Sequence, residues 1–596
     1  VMKYHAVAGV TAMAANWGLL VILTRLFGID YRVSNLIGIG AGVILNFSLN
    51  HVWTFGNQVS APTRVLQRPL LWTMIVAVAL LTTAKIYFAS HVELLPEEAY
   101  YWTYCQHPAL SYFDHPPMVA WIIAGGTSLL GDTELAVRLG TILLSLGSSL
   151  WMFLIARLWF GQSCACWAVL LFNLLPIFVG LVGTLAFPDG PLVFFWLFTL
   201  YAVSKAIGGR SLESSDASGT VGRTHATLYW LLAGLAFGGA LLSKYTGVML
   251  GVSLVLFLLS SRAHRQWLWR PGPWLALLVA LLVFSPVIVW NAQHQWASFI
   301  FQSSRTVGQR PQMWKDILMF WLVQIATLGP LPFVLLGASA LHGAKRGWMR
   351  RQDRWNFVIS FFFPLFAVFL LASFKTEVHV NWTAPSYLSL IVAGAAIFQE
   401  GIENKLRISP LRWRQGGWIA VVVAVAAVGL AFSTMIWGIP GALTYSHAGG
   451  WRELAASVKA AETELARITG LKPFVLGADK YNIAAELSFY TREPENQVNH
   501  LAYGKKGFGF RYWTQLDLFE GRPAVAVVPK LNQGSLSALD NHFDRIDPPK
   551  RLDLPTVGTR TRTMWLIDCY GYRVKPHGAH RALRSSPDSG RTDSKE

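Results

Sequence analysis

The sequence contains little charge for its length. Of 596 residues, only 14% are Asp, Glu, Lys or Arg, whereas 53% are hydrophobic. A soluble protein of this size needs more charge to cover its surface, so the composition excludes an ordinary soluble globular protein. Apolar runs of about 18 to 22 residues recur, and such runs cross the hydrocarbon core of a bilayer as helices. The sequence therefore predicts an α-helical polytopic membrane protein.

Cysteine is also scarce, since the chain has only four. This number provides no disulfide framework and no paired Cys-x-x-Cys metal pattern. We expect Cys164 and Cys166 to be packed in a helix. Cys105 and Cys569 are both expected outside the membrane, where they could be bridged, although nothing in the spacing demands it.

Acidic residues are fewer than basic ones, which gives a net charge of +18. The basic residues are concentrated in four linkers of the same parity: GNQVSAPTRVLQR, SRAHRQWLWRPG, HGAKRGWMRRQDR and NKLRISPLRWRQGG. This is the distribution of the positive-inside rule, and it predicts a cytoplasmic N-terminus. A nucleic-acid-binding protein would need one contiguous basic face, so that class is excluded.

The apolar runs predict about thirteen membrane helices. They cover residues 4–27, 33–55, 70–90, 136–156, 164–186, 190–207, 227–243, 246–260, 273–291, 316–341, 355–372, 384–399 and 417–438.

The chain is predicted to have four parts. Residues 1–65 form a two-helix membrane unit, residues 66–440 the main bundle, 441–575 a small external α/β domain, and 576–596 a disordered tail. In the third part, GWRELAASVKAAETELARITG and NIAAELSFYT indicate helices, whereas KPFVLGAD, AVAVVPK and MWLIDCYGYRV indicate strands. This part lacks a glycine-rich phosphate fingerprint, so no nucleotide site is predicted.

The few ionisable residues near apolar runs gather on the side predicted to face outward. A charge flanked by lipid-soluble sequence is costly to insert and usually has a partner. The outward loop of residues 292–315 also carries Arg305 and Arg310 without any acid, against the general charge trend. The other residues of this group are Glu97, Glu98, Asp114, His115, Asp189 and Lys244.

Acids and cations on one membrane surface suit a transfer reaction with an anionic leaving group. Lys and Arg can offset the charge that grows on a departing phosphate. A carboxylate in a partly desolvated cleft has a raised pKa, which makes it a useful general base. The neighbouring Tyr100 and Tyr101 suit stacking on a sugar face, although tyrosines also populate membrane interfaces.

At these residues the chain resembles the glycosyltransferases of family 39, which have the GT-C fold and use polyprenyl-phosphate-linked sugars. The family includes protein O-mannosyltransferases and the aminoarabinose transferases of lipid A. The resemblance is carried, in order, by PEEAYYW, SYFDHPPMVAW, FPDGPL, LLSKYTG, FSPVIVWNAQHQWASFIFQ, EVHVNWTAPSY and GWRELA.

The resemblance implies a role for each matching residue. The first motif usually begins Asp-Glu, so Glu97 takes the place of the expected base, and the choice between Glu97 and Glu98 stays open. Asp189 matches the second acid. Lys244, Arg305, Asp114 and His115 match positions near the donor phosphate. Looser matches imply substrate contacts for Lys375, Glu377, His379 and Asn381.

The first part of the chain resembles the GtrA-like membrane domain, which is associated with handling polyprenyl-linked sugars. Gly9 and the run NFSLNHVWTFG, which includes Asn46 and Asn50, carry this resemblance. Alternatively, the two amides could simply hydrogen-bond between helices. The first residue is Val, so an upstream portion is expected to be missing.

Together these patterns predict an inverting transfer of a sugar, a hexose such as mannose or a pentose, at the outer face of a bacterial inner membrane. The acceptor hydroxyl could belong to a protein, a lipid or a polysaccharide. Mg²⁺ or Mn²⁺ would suit Glu97, Asp114, His115 and Asp189 if a metal takes part. The alternatives are a flippase of lipid-linked sugars without chemistry, and an inactive relative that binds through its external domain.

Overall fold

The computed structural model describes most of the chain beyond residue 62. The described ranges are 63–208, 219–307, 313–405, 409–436, 449–478, 480–493, 497–498, 507–514, 516–556 and 561–574. The chain divides into two compact units, Val1–Thr83 and Ala84–Glu596, and every contact below lies within the second. The predicted helices at 4–27 and 33–55, with Gly9, Asn46 and Asn50, lie outside the described residues, as do Arg310 and the tail from residue 576.

The described part of the chain before the C-terminal domain is helical. Its helices are α1 (Thr63–His91), α2 (Pro96–Gln106), α3 (Met118–Leu130), α4 (Glu134–Phe160), α5 (Gln162–Leu174), α6 (Pro176–Val179), α7 (Asp189–Ala206), α8 (Gly219–Ser243), α9 (Met249–Ser260), α10 (Pro271–Gln293), α11 (Ala297–Val307), α12 (Met313–Leu328), α13 (Pro330–Ala344), α14 (Asp353–Ala372), α15 (Ala384–Ile402) and α16 (Pro410–Ile436).

Five of these helices contain segments long and apolar enough to cross a membrane. On α10, Leu278 and Leu282 are 55% and 63% exposed, as expected for side chains that face lipid. The mostly helical, multi-pass membrane bundle is therefore confirmed, whereas the count of thirteen helices stays a prediction. The five segments are Pro69–His91, Glu134–Phe160, His225–Ser243, Pro271–Gln293 and Asp353–Ala372.

Two regions predicted as continuous spans are interrupted. The predicted span 316–341 consists of α12 and α13, whose axes differ by 108°. The bend lies at Gly329, where φ is +83°, and Pro330 begins the next helix. The predicted span 164–186 ends as a helix at Leu174, because the following Pro176 starts the short helix α6.

The segment after α6 leads directly into the region of interest. Residues 180–188 form turns rather than helix, and α7 begins at Asp189. A carboxylate at the first residue of a helix interacts favourably with the positive end of the helix dipole. Local sequence thus places one acid of the predicted site at a helix N-terminus.

The C-terminal domain has the alternating helices and strands that the sequence predicts. Both predicted helices and all three predicted strands are observed, whereas three short strands and two short helices were not predicted. The domain comprises α17 (Trp451–Thr469), α18 (Tyr481–Thr491), α19 (Phe510–Trp513) and α20 (Gln533–Asp540), with β1 (Phe474–Gly477), β2 (Gln497–Val498), β3 (Ala524–Val528), β4 (Phe543–Ile546), β5 (Lys550–Pro555) and β6 (Thr561–Tyr572).

One mixed sheet joins the six strands. Its order is β2-β1-β3-β6-β4, and β5 pairs with β6 as well. Strand β1 is parallel to β2 and β3, whereas β6 is antiparallel to β3, β4 and β5. Cys569 lies buried in β6, opposite Ala524 of β3, and all four cysteines are free thiols. The bridge to Cys105 that the spacing permitted is therefore not formed.

The C-terminal domain is packed against the helix α2 of the bundle. Trp102 of α2 meets Phe489 of α18 edge to face, with ring centroids 5.1 Å apart. Glu93 accepts a hydrogen bond from the backbone N–H of Trp451, and Arg452 pairs with Glu134 at the start of α4. These contacts make the domain one wall of the region that contains the predicted site.

Candidate active site

Asp189, Lys244 and Asn381 form a buried cluster. Lys244 Nζ donates to Asp189 Oδ1 at 2.8 Å, and Asn381 Nδ2 donates to Asp189 Oδ2 at 2.7 Å. Asp189 is 1% exposed and Lys244 7% exposed, so the ion pair is largely removed from water. Buried ion pairs need additional hydrogen bonds to offset their desolvation, and the Asn381 amide supplies one.

Three loops bring this cluster together. Asp189 begins α7, Lys244 directly follows α8, and Asn381 lies in the loop between α14 and α15. The apolar sequence around each residue forms helices that pack together, so the polar residues between them meet at one end of those helices. The prediction placed Asp189 and Lys244 on the same surface, but it did not identify their pairing.

A second cluster holds Asp114, which is 5% exposed. Tyr100 and Tyr104, one turn apart on α2, donate their hydroxyl protons to Asp114 Oδ1 at 2.9 and 2.6 Å. Gln302 of α11 donates to the Asp114 carbonyl at 2.6 Å. This network fixes the loop after α2 against α11.

Tyr101 lies between the two clusters. Burial raises the pKa of its phenol well above the ordinary value, and the neighbouring charges of Asp114, Glu97 and Asp189 raise it further. Ring contacts give this position geometrically. Tyr101 follows Glu97 by one turn of α2, and its ring meets that of Tyr104, which binds Asp114, with centroids 5.5 Å apart. It also meets the ring of Phe187, two residues before Asp189, at 6.2 Å. The His115 ring also contacts Tyr101, with centroids 5.6 Å apart. The structure therefore brings Glu97, Asp114, His115 and Asp189 into one region.

Glu97 is half-buried near the N-terminus of α2. Burial raises the pKa of its carboxyl, the adjacent Glu98 raises it further, and Lys480 of the C-terminal domain partly opposes this. A carboxylate in such an environment binds a proton more readily than one in water. Glu97 therefore has the environment of a general base.

Glu98 differs sharply from its neighbour. Its side chain is fully buried and accepts two hydrogen bonds from Arg138, from Nε at 2.8 Å and Nη2 at 2.6 Å. The backbone N–H groups of Leu95 and Ala186 also donate to its carboxylate. All of these interactions favour a structural role for Glu98, which anchors α2 to α4 and to the segment before α7.

Tyr100 and Tyr101 differ from the expectation of an open sugar-stacking surface. They are 2% and 8% exposed, and Tyr100 packs against Tyr481, Phe508 and other rings of the C-terminal domain. The domain covers the aromatic face of α2, which the sequence could not reveal. The observed role of the Tyr100 hydroxyl is to hold Asp114.

The remaining predicted residues have different positions. Lys375, Glu377 and His379 are exposed in the loop that carries Asn381. Arg305 lies in α11, three residues beyond Gln302. The hydrogen bond from Gln302 to the Asp114 carbonyl connects this helix to the Asp114 loop.

The predicted metal ligands do not form a metal-binding group. Within the described ranges, no three His, Cys, Asp or Glu side chains are grouped closely enough to hold an ion. Asp189 instead uses its two oxygens on Lys244 and Asn381. The donor set of Glu97, Asp114, His115 and Asp189 therefore does not fit the predicted Mg²⁺ or Mn²⁺ ion.

Sequence reasoning missed Arg138, although a signal was present. Arg138 is the sole charged residue in the apolar run AVRLGTILLSLGSSLWMFLIA of α4, and such a residue usually has a partner. Lys480, which lies near Glu97, carried no comparable signal, because it belongs to a polar turn of the distant C-terminal domain.

Comparison with known proteins supports the resemblance to glycosyltransferases. Residues 114–290 match the family model described as dolichyl-phosphate-mannose-protein mannosyltransferase. Residues 4–160 match the model described as GtrA/DPMS, transmembrane domain, which extends beyond the boundary predicted near residue 65.

Two curated relatives are glycosyltransferases by name. Lipid A galacturonosyltransferase RgtD of Rhizobium johnstonii is 24% identical over 301 residues, 49% of this chain and 58% of its own length. The undecaprenyl phosphate-alpha-4-amino-4-deoxy-L-arabinose arabinosyl transferase of Edwardsiella ictaluri is 28% identical over 378 residues, 58% of this chain and 65% of its own length. The chain thus spans less than two thirds of either relative.

A solved structure has a similar fold. ArnT from Cupriavidus metallidurans bound to undecaprenyl phosphate aligns with a TM-score of 0.55 and 17% identity, covering 83% of this chain and 98% of that one. With the two family matches, this confirms the resemblance predicted from the motifs: the chain is similar to membrane glycosyltransferases in sequence and to ArnT in fold, and residues 4–160 are similar to the GtrA/DPMS transmembrane domain.

Proposed function

We propose that the protein is a membrane glycosyltransferase that moves a sugar from a polyprenyl phosphate to an acceptor hydroxyl, with inversion. The observation that carries this proposal is the buried ion pair of Lys244 with Asp189. Ring contacts of Tyr101 with Phe187 and Tyr104 connect this pair to Asp114 and to the turn of α2 that bears Glu97. A general base and a buried cation in one region are what such a transfer needs. The name of the Edwardsiella ictaluri relative, which includes an undecaprenyl phosphate-linked sugar, supports a lipid-linked donor.

In the proposed reaction Glu97 accepts the proton of the acceptor hydroxyl. The hydroxyl oxygen forms a bond to the anomeric carbon of the sugar as the bond from that carbon to the phosphate oxygen breaks. The electron pair leaves with the polyprenyl phosphate. Lys244 offsets the charge that grows on this phosphate, and Arg305 is the second cation proposed for it.

Asp189 and Asn381 act as positioning residues in this scheme. They hold the Lys244 ammonium in one place, so that the cation does not have to reorganise during the reaction. Asp114 and His115 order the loop beside the donor. Exposed Lys375, Glu377 and His379 are proposed to contact substrate at the entrance.

The location proposed for this chemistry is the outer face of a bacterial inner membrane. The arrangement is thirteen membrane helices with a cytoplasmic N-terminus and an external C-terminal domain. The charge pattern of the linkers supports it. A hexose such as mannose, or a pentose, is the proposed class of transferred sugar.

The test uses the purified protein with a radiolabelled polyprenyl-phosphate sugar and bacterial membranes that supply acceptors. Wild type should release polyprenyl phosphate and form a labelled glycoside. Glu97→Gln and Lys244→Ala should lose this activity, whereas replacement of the exposed Glu464 by Gln should not. Undiminished transfer in both site variants would contradict the proposed mechanism.

The GtrA-like match over residues 4–160 supports a second candidate function, which is movement of lipid-linked sugars across the membrane. The same labelled donor distinguishes the two functions in sealed vesicles. Transbilayer movement without any glycoside product would favour the flippase. Glycoside formation that depends on Glu97 favours the transferase, because movement alone needs no base.

A further inference from the structure

A cleft of about 500 Å³ opens beside the Asp114 loop. Residues of three segments line it: residues 107–113 after α2, then Trp290, Gln293 and His294 at the end of α10, and Gly509, Tyr512 and Trp513 around α19 of the C-terminal domain. Its volume is in the range of small-molecule binding sites. The cleft therefore joins the bundle and the C-terminal domain around a space large enough for a ligand.

The lining of this cleft contains two stacked ring pairs. His107 stacks on Trp513 with centroids 4.7 Å apart and planes inclined by 9°. Trp290 stacks on His294 at 4.0 Å and 9°. Each pair comes from a different part of the fold, and each forms one platform at the border of the cleft.

The cleft carries little charge. Its lining residues include no Asp, Glu, Lys or Arg. Burial lowers the pKa of His107, which favours its uncharged imidazole. The exposed Gln293 adds an amide that can both donate and accept hydrogen bonds. Flat apolar faces combined with neutral polar groups suit a ligand with C–H faces and hydroxyl edges, which is the chemistry of a saccharide ring.

The cleft is also adjacent to the candidate active site. Tyr112, which lines it, stacks on Tyr104 with centroids 3.9 Å apart, and Tyr104 donates its hydroxyl proton to Asp114. One aromatic ring therefore separates the cleft from the Asp114 network. A molecule bound in the cleft would lie next to the region in which transfer is proposed.

We propose that this aromatic cleft binds a neutral saccharide unit of the acceptor, between the His107–Trp513 and Trp290–His294 platforms. This proposal rests on the proposed function, because only a transferase has an acceptor, and it identifies that acceptor as a glycan. The binding itself requires neither donor nor transfer, so it can be tested separately.

Saturation-transfer NMR on the full chain in detergent micelles tests the proposal, with mannobiose and chitobiose as probes. We expect saturable binding of at least one disaccharide, with transfer strongest to the C–H protons of one ring face. His107→Ala and Gln293→Ala alter partly or fully exposed side chains, and each should weaken binding, by about tenfold for the lost stacking ring. His107→Phe, which keeps a flat ring, should restore most of the affinity.

Trp274→Phe is the matched control, because Trp274 is exposed at the opposite end of α10 from Trp290. This variant should bind like wild type, and so should Glu97→Gln, in which transfer is expected to be lost. Three results would each overturn the cleft proposal: no binding of either disaccharide, binding unchanged in His107→Ala and Gln293→Ala, or displacement of the sugar by a Ser/Thr-rich peptide that binds more tightly. None of these depends on transferase activity.

Discussion

Glu97 and Glu98 are chemically identical neighbours in very different environments. Glu98 is surrounded by donors and forms a fully buried pair with Arg138. Glu97 is half-buried, and its pKa is raised by burial and by the adjacent charge of Glu98. The helical rotation of about 100° per residue turns successive side chains to different faces, so one of the two is structural and the other faces the cluster around Tyr101.

Replacement of Glu97 by Gln should reduce transfer by about 10²- to 10⁴-fold, the usual contribution of a general base. In wild type the base must be ionised, so the rate should fall as the pH drops through the raised pKa of Glu97. This fall should begin at a higher pH than for an ordinary glutamate. A pH–rate profile of glycoside formation checks both expectations.

Glu97→Asp provides the matched control, since it keeps the carboxylate and shortens the side chain by one methylene. We expect it to retain more activity than Glu97→Gln. Equal activity in the two variants would show that the carboxylate does not act as the base.

Glu98→Leu should destabilise the protein, because it leaves Arg138 as an uncompensated buried charge. Removing one partner of such a pair typically costs about 3–5 kcal/mol. The double variant Glu98→Leu/Arg138→Leu should recover part of this loss, but not all, because Arg138 also donates to the carbonyls of Ala89 and Val92. Thermal unfolding in detergent measures the effect, and a single variant as stable as wild type would contradict it.

At the scale of elements, the contact between α2 and α18 joins the bundle to the C-terminal domain. Glu486 of α18 is fully buried near this contact, and neither of its carboxyl oxygens has a hydrogen-bond partner. Burial raises its pKa well above 4.5, Glu93 raises it further, and Arg562 only partly opposes them. The two elements therefore pack around an acid that is favoured in its protonated form.

This raised pKa makes the stability of the contact depend on pH. When the domain is packed, Glu486 holds its proton more tightly than when it is exposed. The stabilisation is thus fully present below pH 4.5 and is lost as the pH rises through the higher pKa of the packed state. The Gln side chain in Glu486→Gln is neutral at every pH, so this variant should lose less stability than wild type as the pH rises from about 5 to about 8. Thermal unfolding in about 0.15 M salt measures the difference.

The control for this prediction is Glu464→Gln on α17. Glu464 is exposed and paired with Arg467 on the same helix, so its replacement should leave the pH dependence of wild type nearly unchanged. If Glu486→Gln and wild type show the same pH dependence, Glu486 does not set it.

At the scale of the whole molecule, the proposed topology places the C-terminal domain outside and the basic linkers inside. A single cysteine introduced at Ile468, which is 57% exposed on α17, should react with a membrane-impermeant maleimide in intact spheroplasts. A cysteine at Met349, which is 77% exposed in the turn after α13, should react only after permeabilisation. Cys105 is replaced by Ser in both, since it is the native thiol that is not fully buried. The reverse labelling pattern would contradict the orientation.

Sequence patterns predicted those features that depend on neighbouring residues. Apolar runs identified the bundle, and apolar periodicity identified the helix Trp451–Thr469 and the strands Phe474–Gly477 and Ala524–Val528. The interruption at Gly329 was missed because an apolar run reads the same whether its helix is straight or bent. The strands Phe543–Ile546 and Lys550–Pro555 were missed because their exposed faces make them too polar to stand out.

Hydropathy and motifs are local properties, so the amino-acid sequence was enough to assign this chain to a membrane and to order its acids and lysine along a known motif series. Which of these residues meet depends on the packing of the folded chain. Lys244 and Asn381 are 55 and 192 positions from Asp189, and the packing of separate helices unites all three. The same packing pairs Glu98 with Arg138 and places the C-terminal domain over Tyr100. Such pairings follow from long-range packing and burial, which no short stretch of sequence encodes.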